Sequence, residues 1–87
     1  GQARGDEMMN QEPTKQIRLN MELFGRRTSF ALEAGVWNAL TDMCREREQS
    51  VDEVCEGVVS NAEPGVSMAS AIRMAVLQHF MDRATAA

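Results

Sequence analysis

The stretch Arg27-Thr28-Ser29-Phe30-Ala31-Leu32-Glu33-Ala34-Gly35, which continues into Val36-Trp37-Asn38-Ala39-Leu40, decides the fold of this chain. Its first residues alternate between two faces, and this period of two predicts a short strand over about residues 27–32. From Val36 onward the apolar residues take helical spacing, so the strand leads directly into a helix. One face of the predicted strand contains Thr28, Phe30 and Leu32, and the other face contains Arg27, Ser29 and Ala31.

The predicted strand needs a partner, because a strand this short is not stable alone. No segment downstream of it has strong β character. The sequence therefore predicts that the strand pairs with the same strand of a second copy, which buries Phe30 and exposes Arg27 and Ser29. A two-stranded ribbon of this kind fits the major groove of DNA.

The segment before this strand alternates as well. Apolar residues occupy every second position from Ile17 to Leu23, which is a second strand signal. Gly25 then interrupts the alternation. Residues 16–24 therefore form either a hairpin with the strand at 27–32 or an extended arm with a bulge, and the pattern does not choose between these alternatives.

Three helices are predicted after the strand, over about residues 33–48, 50–62 and 67–83. Ser50-Val51-Asp52-Glu53 is a capping-box sequence, which begins the second helix. The third helix is apolar around most of its circumference, which is typical of a central helix that packs between the first helix and a partner subunit. The residues expected in a dimer core are Phe30, Leu32, Trp37, Leu40, Ile72 and Val76.

The length of 87 residues indicates a single small domain. Residues 1–13 are expected to form a flexible polar leader, which leaves residues 14–87 for the folded part. A core of that size is marginal without disulfides, a metal or oligomerisation. Two cysteines, Cys44 and Cys55, make no disulfide framework and are expected to be small buried hydrophobes. We therefore expect a homodimer.

No segment approaches the roughly 20 apolar residues that a membrane helix needs. The chain also lacks a charged and then apolar signal sequence at its start. A soluble, cytoplasmic protein without membrane contact is expected, and it would be nucleoid-associated if it binds DNA. Gly1 and its neighbours could be non-native residues that precede a start near Met8 or Met9.

Charge is distributed unevenly along the chain. The net charge is −4, which disfavours a general affinity for nucleic acid. The segment from Thr14 to Leu32 nevertheless carries four cations against one acid, whereas the segment from Glu33 to Val66 carries eight acids against two cations. The predicted ribbon is therefore the basic end of an acidic molecule, and this asymmetry can direct it toward a polyanion.

The order of strand, helix and capped second helix resembles the ribbon-helix-helix family of small prokaryotic DNA-binding dimers. The run Gly25-Arg26-Arg27-Thr28-Ser29-Phe30-Ala31-Leu32-Glu33, with Trp37 and Ser70-Ala71-Ile72-Arg73, is similar to a bacterial subgroup of that family whose function is poorly defined. The resemblance spans about residues 17–83. It implies a mainly α fold with a short β ribbon and an intertwined homodimer. The three predicted helices depart from the family's minimal form, which has two.

The resemblance also implies which residues contact DNA. The base-reading positions of the ribbon fall on Arg27, Ser29 and Ala31. Arginine can bind guanine with two hydrogen bonds and serine can donate to or accept from several bases, whereas alanine offers only a methyl group to thymine. The phosphate-holding helix N-terminus falls on Ser50 or on Ser67, and Ser50 is favoured. Arg26 and Lys15 are further candidates for phosphate contacts.

Nothing in the sequence fits catalysis. It contains no nucleophile–base pair, phosphate-binding loop or dinucleotide fingerprint. Asp52, Glu53 and Glu56 crowd the start of the second helix, where capping and the helix dipole account for acids. His79 is the single histidine and there is no Cys-x-x-Cys motif, so a zinc site is not expected. We expect no enzyme, no cofactor and no metal.

Two functions from different classes remain after these exclusions. The first is a sequence-specific transcriptional regulator that binds double-stranded DNA through a dimeric ribbon. The second is a protein-interaction module, antitoxin-like or a regulatory partner, that keeps the fold but has lost DNA binding. The basic ribbon favours the regulator. The net charge, Ala31 and the acids at Asp52 and Glu53 favour the interaction module.

Overall fold

The structure, a computed structural model, describes residues 12–86. Two strands, β1 (Gln16–Leu23) and β2 (Arg26–Glu33), are followed by three helices, α1 (Ala34–Arg47), α2 (Val51–Asn61) and α3 (Met68–Ala86). The predicted fold class, mainly α with a short β ribbon and three helices, is confirmed. Of the predicted leader, only Glu12 and Pro13 lie within the described residues.

Within the chain the partner of β2 is β1, so one copy is enough to form a two-stranded ribbon, and pairing of β2 with the same strand of a second copy remains a prediction. The strands are antiparallel, with Leu23 opposite Arg26 at the turn and Gln16 opposite Glu33 at the other end. Of the two alternatives for residues 16–24, the structure therefore shows the hairpin. The partner lies upstream of β2, where the alternating pattern of Ile17 to Leu23 supplied a strand of equal length.

The hairpin turns on two residues that both have positive φ. Phe24 has φ 54° and Gly25 has φ 77°, which is the combination of a type I′ turn. The turn is attached to α2, because the backbone N–H of Phe24 donates to the Glu56 carboxylate at 2.8 Å. Glycine adopts this backbone without strain, whereas phenylalanine does not.

Replacing Phe24 with Asn is expected to stabilise the protein by about 1 kcal/mol, because Asn tolerates the left-handed conformation and Asn-Gly is the preferred type I′ pair. The cost in burial is small, since the Phe24 side chain is 61% exposed. Urea denaturation followed by circular dichroism measures the change. Phe24→Ala is the matched control, because it removes the same ring without relieving the backbone. An unchanged midpoint for Phe24→Asn would contradict this reading of the turn.

The core lies between the inner face of the ribbon and the three helices. Its most buried large side chains are Leu32, Leu40, Met43, Cys55 and Ile72. The residues expected in a dimer core lie in this core of one chain: Phe30, Leu32, Leu40, Ile72 and Val76 are buried, and Trp37 packs against them. One chain therefore assembles the apolar cluster that the sequence assigned to a dimer.

Helix α1 follows β2 without a loop. Its first free N–H groups donate to the chain before β1, from Ala34 to the Lys15 carbonyl at 2.8 Å and from Gly35 to the Pro13 carbonyl at 2.9 Å. The space at Gly35 is tight, since an added Cβ would lie 3.4 Å from Pro13. The entrance to β1 and the start of α1 are thereby fixed against each other.

Helix α2 begins with the predicted capping box, which is confirmed. Ser50 Oγ accepts from the backbone N–H of Glu53 at 3.1 Å, and the Glu53 carboxylate accepts from the backbone N–H of Ser50 at 2.9 Å. Helix α3 packs against α1, α2 and β2. Its remaining face is open, and Met74, Leu77 and Met81 are more than half exposed there.

Candidate nucleic-acid interface

The outward face of the ribbon contains the residues that the sequence assigns to base reading. Arg27 and Ser29 are exposed and Ala31 is half-buried, whereas Phe30 and Leu32 on the opposite face are buried. The predicted division of β2 into two faces is therefore confirmed. What the residues do on that face remains a prediction.

Strand β1 completes this outward face. Its exposed residues Arg18, Asn20 and Glu22 alternate with Leu19 and Met21, which are partly buried against the core. The register places Arg18 opposite Ala31, Asn20 opposite Ser29, and Glu22 opposite Arg27. We call these six residues, all contributed by one chain, the ribbon face.

The side chains of the ribbon face are close together because of the turn. A two-residue turn makes its flanking residues, Leu23 and Arg26, a hydrogen-bonded pair. Hydrogen-bonded and non-hydrogen-bonded pairs alternate along an antiparallel ladder, so all three pairs of the ribbon face are of the non-hydrogen-bonded type. In such pairs the Cα atoms approach to about 4.5 Å and opposite side chains meet.

One contact across the ribbon face illustrates this proximity. The hydroxyl of Ser29 donates a hydrogen bond to Oδ1 of Asn20. At the next pair, no ion pair joins Glu22 to Arg27 in the part of the chain that the structure describes. The ribbon face thus combines two guanidinium groups, one carboxylate and a hydrogen-bonded amide–hydroxyl pair.

The predicted phosphate contacts lie at different places around the ribbon. Arg26 is exposed beside the turn and is directed to the face opposite that of Arg27, because it is the neighbouring residue in the strand. Lys15 is exposed at the other end, just before β1. Neither residue belongs to the ribbon face, but both border it.

Ser50 lies at the N-terminus of α2, where the capping box uses both its hydroxyl and its backbone N–H. An anion at this terminus has to compete with the Glu53 carboxylate and with Asp52, which lies in the same first turn. At α3 the hydroxyl of Ser67 accepts from the backbone N–H of Ser70 at 3.1 Å, and the first turn contains no acid. The two alternatives for the phosphate-holding terminus therefore differ in their electrostatic surroundings.

An ion pair fixes the end of the ribbon to α3. Arg73 donates from Nε and Nη2 to the two carboxylate oxygens of Glu33 at 2.9 and 3.1 Å. The hydrogen bond from Arg73 lowers the pKa of the Glu33 carboxyl below its ordinary value of 4.5. Both residues occur in the motifs quoted for the family resemblance, 40 positions apart in the chain. Sequence reasoning did not pair them.

Folding lowers the pKa of Glu33, so the ionised carboxylate stabilises the folded protein. This contribution is complete above the pKa that Glu33 has in the unfolded chain, and it is lost as the pH falls through the lower pKa of the folded protein. Glu33→Gln is therefore expected to lower the urea midpoint at pH 7 and to reduce its dependence on pH below about 4.5. Arg73→Gln serves as the matched variant. If the double variant is no less stable than either single one, the two side chains act as a pair. If Glu33→Gln lowered the urea midpoint equally at pH 3 and pH 7, the ionised form of Glu33 would not be the source of the stabilisation.

The remaining candidates of the sequence analysis lie away from the ribbon face. Cys44 and Cys55 are buried, and burial raises the pKa of Cys55 to about 11, which makes it a poor nucleophile. His79 contacts Glu46 through Nε2 at 2.9 Å and accepts from Arg47 through Nδ1. Within residues 12–86, no cluster of three His, Cys, Asp or Glu side chains is suited to a metal ion. None of the described helices is both long enough and apolar enough to span a membrane.

The predicted site residues include none of the three β1 residues of the ribbon face, of which Asn20 is the central one. The sequence indicated that Asn20 faces outward, because Asn20 occupies a polar position in the alternation from Ile17 to Leu23. Its place on the face depends on the pairing of β1 with β2, which the sequence left undecided.

A family model described as ribbon-helix-helix domain matches residues 16–80, which include both strands, α1, α2 and most of α3. No curated protein and no solved structure matches the chain. Members of this family are typically non-enzymatic DNA-binding proteins and are usually dimeric, and the domain suggests a DNA-binding regulator or an antitoxin. Because the match spans well over half of the chain and contains the hairpin and the helices that support it, this protein belongs to the ribbon-helix-helix domain family.

Proposed function

We propose that this protein is a sequence-specific DNA-binding transcriptional regulator that inserts the ribbon face into the major groove. The observation that carries this proposal is the ribbon face itself, an exposed two-stranded surface with Arg18, Asn20, Arg27 and Ser29 on a hairpin. These side chains are the types that bind the edges of bases.

The dimensions of the ribbon support this mode of binding. Adjacent strands lie about 5 Å apart, and the major groove is about 12 Å wide, so a two-stranded ribbon with its side chains can enter it. Four strands side by side would span about 14 Å between the outer backbones alone and could not enter together. The two strands of one chain are therefore a suitable reading unit.

Arg27 and Ser29 are proposed to supply direct readout, and Ala31 to contact a thymine methyl group. Arg26 and Lys15, at opposite ends of the ribbon, are proposed to hold phosphates, as is the N-terminus of α2 at Ser50. The acidic body of the protein repels the phosphate backbone, which keeps non-specific binding weak and increases the contrast between specific and random DNA.

The protein is proposed to act as a homodimer in the cytoplasm, associated with the nucleoid, without a cofactor. Because each chain carries a complete ribbon, the second copy adds another reading unit and does not complete the first. Sedimentation velocity at micromolar concentration tests the dimer. A single folded species with the mass of one chain would contradict it.

Selection of double-stranded oligonucleotides from a random pool tests the proposed function. We expect enrichment of a consensus sequence, which then binds more tightly than a scrambled duplex in fluorescence anisotropy. Ser29→Asp is expected to abolish this preference, because it places a carboxylate at the centre of the ribbon face. Absence of binding to any duplex at low salt would refute DNA recognition.

The acids beside Ser50 provide a separate prediction. If the N-terminus of α2 holds a phosphate, Asp52→Asn with Glu53→Gln should tighten DNA binding, because it removes the repulsion between these acids and the phosphate. The same change breaks the capping box and therefore costs part of the folding stability that an N-cap contributes, which is about 0.5–2 kcal/mol. Anisotropy at two salt concentrations measures both the affinity and the salt slope. Unchanged affinity and slope would exclude Ser50 from the interface. Glu48→Gln with Glu63→Gln, both outside α2, controls for the loss of two negative charges.

The second candidate function is the protein-interaction module, and one surface favours it. A groove of about 620 Å³ lies between α2 and α3, with Val54, Val58 and Ala75 among its apolar lining residues. Glu53, Glu63 and Asp82 also line it. This combination suits a partner segment that is both apolar and basic. A protein that binds no DNA but binds a helical Leu/Lys peptide, and not its Leu/Glu counterpart, would belong to this second class.

A further inference from the structure

We propose that Asn20 reads an adenine in the major groove and that Ser29 positions the Asn20 amide for this contact. This inference rests on the proposed DNA binding and adds a specificity-determining residue from β1. It also assigns Ser29 a positioning role in addition to any base contact of its own.

Asn20 occupies the centre of the ribbon face. The pair that it forms with Ser29 lies between the pair Arg18–Ala31 and the pair Glu22–Arg27. Asn20 and Ser29 are both exposed. A ribbon that lies in the groove brings its central pair closest to the groove floor, where the base edges are.

The hydrogen bond between the two side chains determines which groups of Asn20 remain for a base. The Ser29 hydroxyl donates to Oδ1, which has a second lone pair, and the amide nitrogen retains two N–H donors. Adenine presents an N6 amino donor and an N7 acceptor in the major groove. One acceptor and one donor of the same amide match this edge with two hydrogen bonds.

Ser29 also reduces the freedom of the amide. An asparagine side chain that is free in solution rotates about two bonds and has to be ordered when it binds. The hydroxyl of Ser29 holds Oδ1, so the orientation of the amide is restricted before any DNA arrives. Preorganisation of this kind lowers the entropic cost of binding and favours one donor–acceptor arrangement over its reverse.

The same pair would also fit a purely structural role, since cross-strand hydrogen bonds stabilise antiparallel ribbons. A structural role changes the urea midpoint but leaves the base preference of the protein unchanged. A reading role changes the base preference at one position of the site. The experiment therefore has to measure both quantities for each variant.

The experiment begins with the full chain and the duplex consensus selected by it. Every base pair of that duplex is substituted in turn, and binding is measured for the parent and for Asn20→Ala. We expect Asn20→Ala to weaken binding to the consensus roughly 5- to 140-fold and to remove the preference for A·T at a single position. Asn20→Asp should shift the preference at that position toward C·G, because a carboxylate accepts from the cytosine amino group.

Ser29→Ala tests the positioning role. It should reduce the preference for A·T at the Asn20 position in the parent but leave that position unchanged in the Asn20→Ala background, because its action there passes through the amide. A base contact made by Ser29 itself affects another position, and equally in both backgrounds. Ser29→Thr, which retains a hydroxyl, should restore the preference in part. If Ser29→Ala leaves the preference at the Asn20 position of the parent unchanged, the positioning role is wrong.

The failure of this inference is distinguishable from failure of the proposed function. If the parent selects a consensus and Arg27→Ala relaxes it, but Asn20→Ala changes neither affinity nor preference, the protein reads DNA without Asn20. If the parent selects no consensus, the regulator proposal and the role of Asn20 are both overturned. If Asn20→Ala lowers only the urea midpoint, the pair is structural.

Discussion

Replacing Phe30 with Asp is expected to unfold the protein. Phe30 is 9% exposed and belongs to the core cluster between the ribbon and the helices. Removing a buried Phe side chain costs about 3–5 kcal/mol, and a buried carboxylate without a partner adds to that cost. Since small domains are stable by only about 5–15 kcal/mol, we expect loss of the cooperative unfolding transition in urea, measured by circular dichroism.

Ser29→Asp is the matched control for this variant, because it introduces the same charge at the preceding residue of β2, on the exposed face. It should retain the cooperative transition of the parent, although it should abolish sequence preference on DNA. A Phe30→Asp protein that unfolds cooperatively at the same urea concentration as Ser29→Asp would show that β2 does not present these faces as described.

Replacing Arg27 with Ala is expected to cost about 1–3 kcal/mol of binding free energy on the selected duplex, which is roughly 5- to 140-fold in affinity. The reason is the loss of two hydrogen bonds from one guanidinium group to the O6 and N7 atoms of guanine. Arg27→Ala should relax the preference at one G·C position and leave binding to random duplex nearly unchanged. Fluorescence anisotropy with single-substituted duplexes measures this pattern.

Lys15→Ala provides the contrast for Arg27. If Lys15 holds a phosphate, its loss weakens binding to all duplexes by a similar factor and reduces the salt slope by about one. Arg27→Lys keeps the charge but cannot form the planar two-bond contact, so it should resemble Arg27→Ala on the consensus. A uniform loss on all sequences for Arg27→Ala would assign Arg27 to phosphate contact.

Local patterns in the sequence predicted the local structure well. The period of two placed Phe30 and Leu32 on the buried face of β2. The Ser50–Glu53 spacing predicted the capping box, because both of its hydrogen bonds depend only on residues three apart. In each case the interaction that determines the structure is short in sequence, and the residue types report it directly.

The sequence left the pairing of β1 with β2 open between a hairpin and an extended arm, because the hairpin depends on a turn that its residue types do not indicate. Type I′ turns favour Asn-Gly or Asp-Gly, whereas this chain has Phe24 at the first position. The contact of the Phe24 backbone N–H with Glu56, 32 residues away, supports the turn from outside. The pairing of Glu33 with Arg73 is similarly distant, so a reading of neighbouring residues does not find it.

The candidate site was predicted in part for the same reason. Arg27, Ser29 and Ala31 follow from the alternation within β2 and from the family resemblance. Asn20 reaches the same surface only through the register of β1 on β2. The base-reading roles of all four residues remain predictions that the experiments above test.

A hairpin made from one chain has a direction, and this has a consequence for the DNA that it is proposed to recognise. A half-turn about the central pair exchanges Arg18 with Arg27, which are the same residue type. The same rotation exchanges Asn20 with Ser29 and Glu22 with Ala31, which differ, so the ribbon face does not superimpose on itself. A ribbon made of two identical strands would recognise a palindromic core, whereas this one should distinguish the two orientations of its target. Each copy would then bind an asymmetric subsite, and any inverted repeat in a natural operator would reflect the spacing between two copies of the protein.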